Sequence, residues 1–302
     1  MLKPAWLRKK KDLNINRDMK KILRTNRLHT VCESASCPNI SECFKKMTAT
    51  FMILGDTCTR NCLFCGVRKG TPHAIDKNEP IRIAQAVNKL GLEYVVITCV
   101  TRDDLFGGGA SYFCEVIDHI KSVCGYDIKI EVLTSDFYTG VDKKNLLKSN
   151  IAKIINAGVC VYGHNMETVP RLYKDTRIMS NFKRSLNILK TVKKIDNTVL
   201  TKTGFMLGMG ETFEELTDCM KQLRGIDCDI ITFGQYLAPS KAHFPVQKYL
   251  TIEEFKKLKK IALKMGFTAV ESGPYVRSSY KAKDIYRKSS EGRRKEILNP
   301  KY

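Results

Sequence analysis

Short apolar runs alternate with amphipathic stretches from residue 50 onward, and this rhythm constrains the fold more than any other feature of the chain. The run "YVVITCV" (94–100) is apolar almost without interruption over a strand's length, the pattern of a parallel strand covered on both faces. "TFMILGD" (50–56), "IKIEVLTS" (128–135), "GVCVYGHN" (158–165), "LTKTGFMLGM" (200–209) and "CDIITFGQYL" (228–237) read as strands too, with "FTAVESG" (267–273) as a last short one. Helical periodicity fills the gaps at 79–92, 112–123, 142–149, 181–195, 212–226 and 251–266. Pro80 suits a first helical turn, Thr251 and Glu254 form a capping-box signature, and Gly266 stands where a C-cap belongs. Strands alternating with helices predict an α/β protein with a parallel sheet. Six units are fewer than a closed barrel needs, so an open partial barrel and a doubly wound sheet both fit. Either architecture places chemistry at the C-terminal ends of its strands.

At the end of the first strand stands "GDTCTRNCLFCGV", with Cys58, Cys62 and Cys65; upstream, "CESASCPNISEC" carries Cys32, Cys37 and Cys43. The N-terminus lacks an apolar signal core, and no run approaches the ~20 apolar residues of a membrane span. A reducing compartment is therefore expected, cytoplasmic or an organelle matrix. There, clustered cysteine reads as metal binding or catalysis, not as disulfide. A closed zinc site needs a full tetrahedral set, which a trio does not supply. A 4Fe–4S cube held by three thiolates keeps one iron open to another ligand. The six remaining cysteines (Cys99, Cys114, Cys124, Cys160, Cys219 and Cys228) are spread singly, as core residues are.

The second trio resembles the cluster motif of the radical S-adenosylmethionine (SAM) superfamily. That resemblance implies a 4Fe–4S cluster that binds SAM and cleaves it to a radical, with Phe64 near the adenine. Both trios together resemble the lipoyl synthase family, along with "CPNISECF", "TRDDL" with "GGGA", "GHNMET", "LGMGET", "FGQYLAPS" and "GPYVRSSYKA". The family resemblance implies an α/β partial (β/α)6 barrel of TIM type, with N- and C-terminal extensions carrying an auxiliary cluster. The parts would run 1–48, 49–273 and 274–302. It implies auxiliary-cluster ligation by Cys32, Cys37, Cys43 and Ser279, the last within Arg277-Ser278-Ser279-Tyr280, with Arg277 orienting cluster or substrate. A hydroxyl is a weak iron ligand beside thiolate, which suits a cluster that gives up its sulfur. The reaction implied is insertion of two sulfur atoms, at C6 and C8 of an octanoyl chain carried on a protein lysine. Two 4Fe–4S clusters and SAM are the cofactors. The C–H bonds concerned are far too weakly acidic for an ordinary acid–base pair, and none stands out in the sequence.

SAM needs polar partners at strand ends. The segments "TRDDL" (101–105), the third strand and "HNMET" (164–168) offer Arg102, Asp103, Asp104, Glu131, Asn165 and Glu167. His164 reads instead as a hydrogen-bonding core residue, Met206 and Met209 as core. The "GGGAS" run (107–111) lacks the Lys-Ser/Thr of a phosphate loop and reads as a close-approach turn into a helix. The family's partners would be octanoylated lipoyl carrier domains (2-oxo-acid dehydrogenase acyltransferase subunits and the glycine cleavage H protein), an electron donor such as flavodoxin or ferredoxin, and iron–sulfur carrier proteins.

The balance of 52 Lys+Arg against 31 Asp+Glu, net +21, speaks of partners rather than of fold. Ten basic residues lie in 1–31 and eight in 281–302, so both ends read as basic arms. Acidic carriers suit such arms, and Arg8, Lys9, Lys10 and Lys11 are candidates for docking them. A radical SAM enzyme acting on RNA would also suit the charge, but no RNA-binding domain or aromatic RNA motif is evident. The five histidines are scattered, which argues against zinc fingers, and neither nucleic acid nor membrane is an expected partner. Biotin synthase is nearer in chemistry, but the first trio and "RSSY" argue against it. Absorption near ~400 nm distinguishes iron–sulfur from zinc.

Overall fold

A computed structural model describes residues 3–7, 17–46, 48–138 and 144–298. Arg8, Lys9, Lys10 and Lys11 lie outside the described residues. Two compact units divide the chain, one within residues 9–160 and one within 161–302 that also takes in the short helical turn Ala5–Leu7.

The first unit is built on three parallel strands, β1 (Thr50–Ile53), β2 (Tyr94–Cys99) and β3 (Lys129–Leu133). Thr50 aligns with Val96, and Val96 with Glu131. The run of Val95, Val96 and Ile97 is buried throughout, as its uninterrupted apolar sequence requires. Three helices follow the strands: α1 (Glu79–Lys89), α2 (Ala110–Cys124) and α3 (Lys144–Asn156). α1 buries Ile83, Ala84 and Val87, and α2 buries Phe113, Val116, Ile117 and Ile120, stripes at helical spacing. A two-residue strand, His29–Thr30, pairs antiparallel with β1, setting His29 opposite Met52. It leads into the short helices Val31–Ser34 and Ile40–Lys45. The basic N-terminal arm is also partly helical: Arg17–Thr25 buries Met19 and Leu23, one turn apart.

The second unit carries β4 (Val161–Gly163), β5 (Leu200–Leu207), β6 (Ile230–Gln235) and β7 (Ala269–Gly273), all parallel, with Ile230 aligned to both Lys202 and Ala269. Its helices are α4 (Phe182–Ile195), α5 (Phe213–Arg224), α6 (Ile252–Lys264) and α7 (Ala282–Leu298). The Thr251/Glu254 capping box forms, and a second closes the start of α5 through Thr212 and Glu215. Gly266 has φ 92°, the left-handed conformation that ends a helix. α7 packs through Ala282, Ile285 and Ser289, whose hydroxyl meets Thr268 Oγ1 at 2.5 Å. No helix among the described residues is long and apolar enough to cross a membrane.

Candidate active site

β1 ends in a turn that re-aims the chain, with Leu54 at φ 69° and Gly55 at φ 90°. Side chains claim both backbone groups of Leu54. Its N–H donates to Glu79 Oε2 at 2.9 Å, and its carbonyl accepts from Arg102 Nη1 at 3.1 Å. Burial raises the Glu79 carboxyl above its ordinary range, and the Leu54 N–H pulls the other way. Gly109 permits the close approach behind this turn, since a Cβ there would sit 2.4 Å from Leu54 Cδ1. The glycine run is thus the close-approach loop that its composition predicts.

The loop so launched carries Cys58, Phe64 and the other two cysteines of the trio, all half-buried. Cys58 lies on a two-residue strand paired with Arg68–Lys69, and its carbonyl accepts from Gly70 N–H at 3.1 Å. The Arg60 N–H donates toward Cys58 Sγ at 3.4 Å, and the Cys65 N–H to the Cys62 carbonyl at 3.2 Å. An N–H aimed at sulfur orients it as a ligand. Cys99, at the end of β2, feels the charges of Cys58 and Arg60, and burial pushes its thiol up to about 12, so it stays protonated.

The first trio is gathered by local structure. Thr30 caps the helix bearing Cys32 by accepting from Glu33 N–H at 3.3 Å. The Cys37 N–H donates to the Cys32 carbonyl at 3.0 Å, and the Cys43 N–H to the Asn39 carbonyl at 2.9 Å. Burial pushes the Cys32 thiol up to about 12; a backbone bond from Thr50 opposes this, and the charges of Cys37 and Cys43 add to it. Without a cation such a thiol holds its proton, and metal binding releases it.

Among the described residues no three His, Cys, Asp or Glu side chains converge tightly enough to hold one metal ion. Each cysteine of a 4Fe–4S cluster binds a different iron. Both trios, soft thiolate sets on backbone-braced turns, fit such clusters chemically.

The polar candidates fall into two groups. In the first unit, Asp103 is bound through both oxygens by Arg60, Nε to Oδ2 at 2.8 Å and Nη2 to Oδ1 at 2.7 Å, and Thr59 Oγ1 donates to Oδ2 at 3.0 Å. Arg102 holds Asp104 at 2.8 Å, while the Asp104 side chain itself is 40% exposed. Glu131 is buried on β3 and accepts from Tyr94 Oη at 2.6 Å. In the second unit, Asn165 Nδ2 donates to Glu167 Oε1 at 2.9 Å and to Ser278 Oγ at 2.7 Å. Asn165 Oδ1 is buried without a hydrogen bond, the state of an acceptor waiting for a donor. Glu167 has φ 67°, and desolvation raises its carboxyl above the ordinary range against the pull of Arg177, Asn165 and Arg277. A Cβ at Gly204 would come within 3.1 Å of Thr232 Oγ1, Ser278 Oγ and Asn165 Oδ1, so glycine keeps this corner open. Arg277 Nη1 donates to the Val276 carbonyl, and Ser279 is half-buried in the turn that follows.

His164 is fully buried, with Nε2 3.0 Å from Ser185 Oγ, as a core histidine would be. Cys219 and Cys228 are buried; Cys99, Cys114, Cys124 and Cys160 are half-buried. Arg60 and Asp136 join the site only through the fold. Arg60 lies inside the Cys58–Cys62 spacing, where attention goes to the cysteines, and Asp136 follows β3 among ordinary loop residues.

The profile of the Radical SAM superfamily matches residues 52–223. A lipoyl synthase of Caldicellulosiruptor saccharolyticus is 50% identical over 283 residues, covering 93% of this chain and 96% of the relative. One of Aquifex aeolicus is 52% identical over 265 residues, covering 88% and 93%. Among solved structures, HydG, a maturase of the FeFe-hydrogenase, covers 92% of this chain and 70% of its own, with TM-score 0.58 and 14% identity. Methylornithine synthase (PylB) covers 85% and 81%, with TM-score 0.53 and 14% identity. These two show the fold alone: an α/β protein with parallel strands, of the partial TIM-type barrel class.

Proposed function

Because this chain belongs to the lipoyl synthase family of the radical SAM superfamily, we propose a division of labour between its two cysteine trios. The chain is a SAM-dependent radical enzyme that inserts sulfur into a protein-bound octanoyl chain. Cys58, Cys62 and Cys65 hold a 4Fe–4S cluster that, with SAM, supplies the hydrogen-abstracting radical. Cys32, Cys37 and Cys43 hold an auxiliary cluster, the sulfur source for C6 and C8, with Ser279 matching the family's fourth ligand. The observation that carries this reading is the presence of two separate thiol groups in one compact unit, each gathered on its own backbone-braced turn.

The chain's own residues bind, orient and exclude. Phe64 offers a ring beside Cys65 for the adenine. Asn165 presents a buried acceptor and Glu167 a desolvated carboxylate to the polar groups of SAM. Arg102 grips the Leu54 carbonyl and Asp104, so its part is to brace the ends of β1 and β2, while Glu131, in the middle of β3, is held by Tyr94 at the start of β2. Arg277 holds the turn that carries Ser279. We read residues 1–48 and 274–302 as the two extensions and 49–273 as the barrel. Octanoylated lipoyl domains are the substrates, a flavodoxin or ferredoxin the electron donor, iron–sulfur carriers the source of replacement clusters, and the cytoplasm the compartment.

The test is incubation of the anaerobically loaded enzyme with SAM, reductant and an octanoylated carrier domain. Mass spectrometry of the carrier should show two sulfur atoms gained, and the Cys32/Cys37/Cys43→Ser variant should produce none. Sulfur insertion by that variant would refute the auxiliary cluster as the source.

A further inference from the structure

The Arg60 guanidinium meets three strand-end loops of the first unit. It comes from the loop after β1, and binds Asp103 after β2 through both of that carboxylate's oxygens. Its Nη2 also lies 2.6 Å from Asp136 Oδ1, after β3. The side chains of Arg60 and Asp136 are only 3% and 1% exposed. Thr59 reinforces the join: its N–H and its hydroxyl each reach the Thr101 carbonyl at 3.0 Å, and its Oγ1 accepts from Asp103 N–H at 3.1 Å. The receiving loop after β3 is itself held in an unusual conformation. Phe137 has φ 49° and packs edge-on to Phe113, and a Cβ at Gly108 would come within 3.0 Å of Phe137 Cα.

We propose that Arg60 is the positioning residue of the Cys58–Cys62–Cys65 loop, a guanidinium rivet that fixes the loop on β2 and β3 through Asp103 and Asp136. Burial works against the Arg60 cation, and its bonds to Asp103 and Asp136 outweigh that, holding it protonated well above its ordinary range. A planar fork is needed because the two carboxylates approach it from different loops; an ammonium is a point charge and cannot grip Asp103 with two parallel bonds. The consequence concerns aim. The Arg60 N–H reaches Cys58 Sγ, and Cys62 is two residues on, so a tilt of this loop swings both sulfurs and whatever they hold. A displacement of about 1 Å at a reacting centre costs on the order of a hundredfold in rate.

The inference rests on the reading that this trio holds the SAM-binding cluster, and the test separates the two. Arg60→Lys, Arg60→Ala and Asp136→Asn are made in the full chain and loaded anaerobically. Iron per chain, the melting of the chain before loading, and the change in the electron paramagnetic resonance spectrum of the reduced protein as SAM is added are measured. Arg60→Lys should melt near wild type and keep its iron, yet need about tenfold more SAM or higher for the spectral change, with kcat/KM falling by a similar factor. Asp136→Asn should shift the same way by less, Arg60→Ala by more. SAM titrations of Arg60→Lys and Asp136→Asn that match wild type would overturn the proposal. It would also fall if melting and iron dropped together while the loaded fraction titrated normally, a purely structural role. A wild-type protein whose spectrum ignores SAM would sink the cluster reading itself.

Discussion

Gly234, near the C-terminal end of β6, tests how the turn bearing Arg277 and Ser279 is held. A Cβ built on Gly234 would lie 2.0 Å from the Val276 carbonyl oxygen, 3.0 Å from its carbon and 3.1 Å from Arg277 Nη1. The nearest obstacle is backbone, so no rotamer change relieves it. Gly234→Ala therefore has to push residues 274–277 away from the sheet by about 1.4 Å, the difference between that contact and a normal van der Waals approach. Overpacking of this kind costs about 1–3 kcal/mol. Spread over the unfolding entropy of a chain this long, that is a melting point lowered by roughly 2–5 °C. Activity should suffer more than stability, because the displaced backbone leads directly into Arg277, Ser278 and Ser279; a fall of about tenfold to a hundredfold in kcat is expected. Calorimetry of the chain before cluster loading reads the first effect, and single-turnover sulfur insertion reads the second. A variant that melts and turns over as wild type would refute the close packing of β6 on this turn and its part in the reaction.

Other perturbations follow from the same structure. Asp229 accepts from the Thr201 N–H at 2.7 Å and pairs with Lys193 at 2.5 Å, with side chains 7% and 8% exposed. Asp229→Asn removes the counter-ion of the lysine, which keeps its bonds to the Val199 and Asn197 carbonyls, and should cost about 3–5 kcal/mol in chemical denaturation. Burial already holds Lys193 below 10.5, and losing Asp229 deepens that shift. The folded variant then binds fewer protons than the unfolded chain, so its stability should rise with pH through the window below 10.5; a flat profile would contradict this. Glu167 has the opposite linkage: a carboxyl raised above 4.5 gives stability that is lost as pH rises through its folded value. Glu167→Gln should melt at or above wild type at neutral pH while binding SAM at least about tenfold more weakly, and unchanged SAM affinity would remove Glu167 from the site. Thr251→Ala breaks a capping box and should cost about 1 kcal/mol with activity intact.

How far the sequence could be read depended on where side chains alone carry the signal. Buried parallel strands such as β2 are legible because burial on both faces demands an unbroken apolar run. β4 shows the limit: "GVCVYGHN" suggests a longer strand, but the strand runs Val161–Gly163. α7 reads as a basic arm because Ile285 is the one large apolar residue among its buried positions, beside Ala282 and Ser289, and a single such residue makes no apolar stripe. The helix Arg17–Thr25 was hidden similarly, with Met19 and Leu23 set among cations. Of the site, the cysteines were legible by spacing. The strand-end charges were found, but not their pairings, because which Asp receives Arg60 is decided by loops distant in sequence. Asn165 Oδ1, buried and without a hydrogen bond, has no sequence signature at all.

The proposed function requires two independent clusters, one on each cysteine trio. Iron and acid-labile sulfide per chain, measured anaerobically in wild type and in Cys58→Ala/Cys62→Ala/Cys65→Ala, test it most directly. About eight irons falling to about four is the predicted result. About four falling to none would mean that the first trio holds no cluster, and would remove the sulfur source on which the proposed reaction depends.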